Sequence, residues 1–111
     1  MYKIRVNPVA LTDLRGIKAY IIEELSSPDA AVMVVEKIIL CYEQLEKYPM
    51  MGASLSAVLD IRTDYRYLVC GHYLIFYRME GEYVSIYRIL HGRRDYLQIL
   101  FGDLPVDGDM K

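Results

Sequence analysis

The chain is 111 residues long, 54% apolar and 25% charged, with a formal net charge of −2 at neutral pH. That length holds one domain around one core, the net charge argues against a generic polyanion binder, and no apolar run approaches the ~20 residues that span a bilayer. So much apolar content in one small domain is expected to leave hydrophobic surface for a partner to cover.

The opening MYKIRVNP lacks the apolar core of a signal peptide, so a cytoplasmic protein is expected. YKIRV (2–6) reads as a short strand. Asn7 and Pro8 then supply an N-cap and a first helical position. Ala10, Leu14, Ile17, Ile21 and Leu25 follow on one helix face. Ser27 and Pro28 repeat the device for a second helix, whose stripe is Ala31, Val34, Ile38, Cys41, Leu45 and Tyr48. Val32, Val35, Ile39 and Tyr42 widen that stripe beyond what one partner covers, which predicts an antiparallel helical hairpin lying on a sheet.

Residues 49–64 read as a connector with one helical turn near 54–60. Three strands are expected at 65–70, 72–79 and 82–90, turning at Gly71 and Gly81, where glycine takes positive φ readily. The N-terminal strand is expected to join their sheet beside the third or the last strand. A short helix is expected from 93, its apolar content Tyr96, Leu97, Ile99, Leu100 and Phe101. The order β-α-α-β-β-β-α defines an α+β fold, a helical hairpin packed on a mostly antiparallel sheet. One domain occupies 1–102, and 103–111 is expected as a flexible tail.

Cys41 and Cys70 lie in apolar segments with no CxxC spacing and no histidine at ligand distance. They read as buried free thiols of a reducing cytosol, and no metal or other cofactor is expected.

The charge is unevenly spread. Residues 61–95 carry six arginines, no lysine, four acids and both histidines. Guanidinium groups suit bidentate contacts with phosphate or carboxylate. Arg88, in step with Val84, Ile86 and Leu90, reads as a sheet-face arginine paired with an acid. His91, Arg93, Arg94, Asp95 and Tyr96 cluster where the last strand gives way to the helix. Two cations at a helix start oppose the macrodipole, so a functional cluster and a solvated first turn both stay open. His91 is either a hydrogen-bonded strand end or an acid–base group, its ordinary pKa lying near 6.5. The tyrosines at 73, 77, 83 and 87 read as packing for the core or a partner before base stacking.

With that element order, YRYLVCGHYLIFYRM followed by VSIYRILHGRRDYLQIL resembles the RelE/ParE superfamily, the toxins of bacterial type II toxin–antitoxin modules, which includes the plasmid-stabilisation proteins. The resemblance covers residues 2–101. It implies a growth-arresting toxin neutralised by a cognate antitoxin protein, acting by ribosome-dependent mRNA cleavage (RelE-like) or by poisoning DNA gyrase (ParE-like). For cleavage, a 2′-OH must be deprotonated, a phosphorane neutralised and a 5′-oxygen protonated, without metal. The resemblance then assigns Arg66, His91, Arg93 and Tyr96 as catalytic, with Arg62 and Arg94 binding substrate. Three departures point the other way: Leu74 stands where RelE-type members carry arginine, Arg66 is the second strand's only cation, and the chain is acidic. The alternative is a non-catalytic protein-binding module, a degenerate toxin using the same surface to dock a partner.

Overall fold

The computed structural model describes residues 1–59 and 62–92. Strand β1 (Lys3–Val6) leads into α1 (Pro8–Leu25), α2 (Pro28–Glu43) and a 3-10 turn (Gln44–Glu46). A two-residue β2 (Ala53–Ser54), α3 (Leu55–Leu59), β3 (Arg66–Cys70), β4 (Tyr73–Glu80) and β5 (Tyr83–His91) follow. The order agrees with the sequence reading, and β2 is an addition to it. The helix expected from 93 and the tail 103–111 lie outside the described residues.

Both helices start as their caps require. The Asn7 side chain accepts from the Val9 N–H and the Ser27 side chain from the Ala30 N–H, with proline following each cap. Ser26, between the helices, takes φ 51°, the left-handed conformation that ends a helix and reverses the chain. Ala10, Leu14, Ile38, Tyr42 and Leu45 are buried against the sheet. Leu25 and Tyr48, expected at the far ends of the stripes, are instead 65% and 62% exposed. A four-residue step drifts the helical stripe by about 40°, which carries Leu25 off the core face, and α2 has already tightened into the 3-10 turn before Tyr48.

The sheet order is β1-β5-β4-β3-β2, with β1 parallel to β5 and the remaining pairs antiparallel. Gly71 and Gly81 have φ of 59° and 64°, as the tight turns demand. The hairpin covers one sheet face, where Leu68, Cys70, Ile75, Tyr77, Val84, Ile86 and Ile89 join its core. A second cluster on the opposite face holds Leu55, Tyr65, Phe76 and Leu90. Among the described residues no helix is long and apolar enough to cross a membrane.

One irregularity decides which side chains reach which face. Tyr77 pairs with Ile86 but Phe76 pairs with Arg88, so Tyr87 is an extra residue in β5. An inserted residue inverts the alternation beyond it. Leu90 therefore leaves the face of Val84 and Ile86 for the second cluster, and Ile89 takes its place in the main core.

Candidate functional site

The bulge also decides where His91 lies. It sits opposite Tyr73 in the register, a place that Leu90 would hold in an unbroken hairpin. The His91 ring meets the Tyr73 ring edge-on at 5.4 Å and stacks on His72 at 6.0 Å, with 11° between planes. The carbonyl of His72 accepts from the Gly92 N–H at 2.8 Å, closing the strand end. Beside it runs a groove of about 590 Å³ between α1 and the ends of β4 and β5, lined by Thr12, Asp13, Tyr20, Tyr73 and His91 among others.

Asp13 forms the wall of that groove and has a second task. β1 ends at Val6, so beyond Ile86 no strand among the described residues pairs with β5 on that side. The Asp13 carboxylate takes over the edge: it accepts from the Ile89 N–H at 2.9 Å and from Arg88 Nε and Nη2 at 2.8 and 2.9 Å. Arg88 is thus the acid-paired arginine that its sheet position suggested, and its partner comes from α1.

Arg66 is elsewhere. It pairs with Tyr77, whereas His91 pairs with Tyr73, four residues or about 13 Å along the strand direction. Its Nε donates to the carbonyl of Gly52 at 3.1 Å and its Nη2 to that of Met50 at 3.2 Å. The buried Tyr77 hydroxyl completes the clamp, donating to the Pro49 carbonyl at 2.8 Å and accepting from the Gly52 N–H at 3.0 Å. A Cβ on Gly52 would stand 2.6 Å from the Tyr67 carbonyl oxygen, so this close approach requires glycine. Arg62 is exposed in the loop before β3. Arg93, Arg94 and Tyr96 lie outside the described residues. The structure therefore does not bring Arg66 to His91.

The sheet face away from the hairpin carries a polar network that the sequence reading missed. Glu80 accepts from Arg5, Ser85 and the Tyr87 hydroxyl. Arg78 donates to Asp64 at 3.0 Å and stands over the Tyr65 ring, and Arg5 stands over Tyr83. Burial works to raise the Glu80 carboxyl, but the hydrogen bonds of Ser85, Tyr87 and Arg5 and the charge of Arg5 outweigh it and hold it below the ordinary value. Burial, together with the hydrogen bond to Glu80 and its charge, pushes Tyr87 up to about 12. Arg5 and Arg78 are thus both matched to carboxylates. The signal in the sequence was alternation: Arg78 and Glu80 share one face of β4, and Ser85 and Tyr87 share the facing side of β5. Among the described residues no group of three or more His, Cys, Asp or Glu is placed to hold a metal.

Residues 4–96 match the family described as "ParE toxin of type II toxin-antitoxin system, parDE". Among solved structures, the chain is similar to one from the chromosomal ParDE system of P. aeruginosa, with 20% identity and a TM-score of 0.69 over 82% of this chain and 96% of that one. It is also similar to one from the RelBE2 toxin–antitoxin complex of Mycobacterium tuberculosis, with 23% identity and a TM-score of 0.54 over 81% and 96%. At these identities the two structures bear on the fold. No curated protein matches the chain significantly.

Proposed function

We propose, from the premise that this chain belongs to the ParE toxin family of type II toxin–antitoxin systems, that it arrests growth by docking on DNA gyrase and not by cutting RNA. The state of four of its described arginines carries this reading. Cleavage needs a cation available where phosphorane charge develops. Arg66 is instead tied to two backbone carbonyls, and Arg5, Arg78 and Arg88 each face a carboxylate. Cations already neutralised in this way add little of the phosphate attraction that drives RNA binding.

Both solved neighbours come from toxin–antitoxin systems, and a cognate antitoxin is proposed here too. Met33, Leu40, Leu25 and Tyr20 stand exposed on the helical hairpin and suit a segment that orders as it binds.

The cleavage reading retains one favourable observation. His91 lies in a groove with Asp13 and Tyr73, groups able to hold or move a proton, and Arg93, Arg94 and Tyr96 follow it in the chain.

Purified protein assayed in parallel for gyrase supercoiling and for ribosome-dependent mRNA cleavage separates the two. Supercoiling should fall at concentrations that leave mRNA intact, and added antitoxin should restore it. Cut mRNA with untouched supercoiling would overturn the docking on gyrase. Folded protein inactive in both assays would leave the degenerate binding module.

A further inference from the structure

We propose that Cys41 and Cys70 are a paired oxidation site, joined by a reversible disulfide when the protein meets a peroxide. They are the chain's two cysteines, and both are free thiols. Cys70, at the end of β3, points into the core beneath the hairpin, and Cys41 on α2 packs against the same cluster. The Cys70 Sγ lies 3.7 Å from the carbonyl oxygen of Lys37. Lys37 is one helical turn before Cys41, and residues four apart share a helix face, so α2 presents Cys41 at the point where Cys70 touches it. Burial, with a further push from the neighbouring Cys41, raises Cys70 to about 12.

The two sulfurs are not equivalent. Cys41 is half-buried and Cys70 buried, so a small oxidant reaches Cys41 first. The Cys41 thiolate attacks hydrogen peroxide, breaking the O–O bond to give a sulfenic acid and hydroxide, which takes up a proton as water. The Cys70 sulfur then attacks the sulfenic sulfur. The S–O bond breaks, the S–S bond forms, and the departing hydroxyl leaves as water with the Cys70 proton. Two thiols and one peroxide become one disulfide and two waters. Cys70, protonated and shielded, is a poor target for peroxide itself but stands where a sulfenic acid on Cys41 would form. The bridge closes the loop from 41 to 70 and staples α2 to β3, constraining the unfolded chain.

The test uses the full, reduced protein with a small molar excess of hydrogen peroxide at neutral pH. Expected are the loss of both thiols and of about 2 Da, a monomer on a non-reducing gel and a peptide link between 41 and 70. Dithiothreitol should reverse the change, and the oxidised form should melt at a higher temperature. Cys70→Ala should instead accumulate oxygen on Cys41, and Cys41→Ser, at the half-buried helix position, should keep its single thiol through the same treatment. Wild-type protein that keeps both thiols, gains oxygen, or forms a disulfide-linked dimer would overturn the pairing.

Discussion

Asp13→Ala should destabilise the fold by about 3–5 kcal/mol, the scale for removing one partner of a buried ion pair. The side chains of Asp13 and Arg88 are 12% and 11% exposed, which separates this pair from exposed ones worth about 0–1 kcal/mol. Asp13 also accepts from the Ile89 N–H, and an orphaned buried donor costs about 1–3 kcal/mol alone. The two penalties overlap because one carboxylate serves both. Against a total stability of about 5–15 kcal/mol the loss is large. Urea unfolding of wild type and variant measures it. Asp13→Asn, which retains an acceptor oxygen, should fall between them. Asp13→Ala with Arg88→Met should recover much of the loss, because no buried charge is then left without its partner. A loss below about 1 kcal/mol for Asp13→Ala would refute the reasoning and place the pair with the exposed ones.

Tyr77→Phe removes the hydroxyl that joins Pro49 to Gly52 and should cost about 1–3 kcal/mol, with faster amide exchange at Gly52 read by NMR. Glu80 supplies a pH-dependent term. Its folded pKa is lowered from 4.5, so its contribution is fully present above that value and is lost as pH falls through the depressed one. Glu80→Gln should therefore flatten part of the acid limb of a stability–pH curve, and a variant whose limb matches the wild type would show that the hydrogen bonds around Glu80 carry no such term.

The local signals of this chain were strong enough to read directly. Asn7-Pro8 and Ser27-Pro28 cap helices because a short polar side chain followed by proline satisfies the first N–H groups in almost any surroundings. Gly71 and Gly81 turn the chain because positive φ is cheap only for glycine. Arg88 was legible as half of an ion pair, since a guanidinium on a largely apolar strand needs an acid. Its partner was not, because nothing in the local pattern around Asp13 marks the unpaired edge of a strand 75 residues away.

The sequence by itself determined the element order, the caps, the turns and the toxin-family character carried by residues up to 96. The tertiary structure decided the candidate site. Alternation predicts a face only while the register is unbroken, and the extra Tyr87 in β5 inverted it, sending Leu90 to one face and His91 to the groove on the other. The resemblance made Arg66 a catalytic candidate, and residue type by itself reports only its charge. What a charge does depends on what lies within hydrogen-bond reach, and folding brought the carbonyls of Met50 and Gly52 there, not His91.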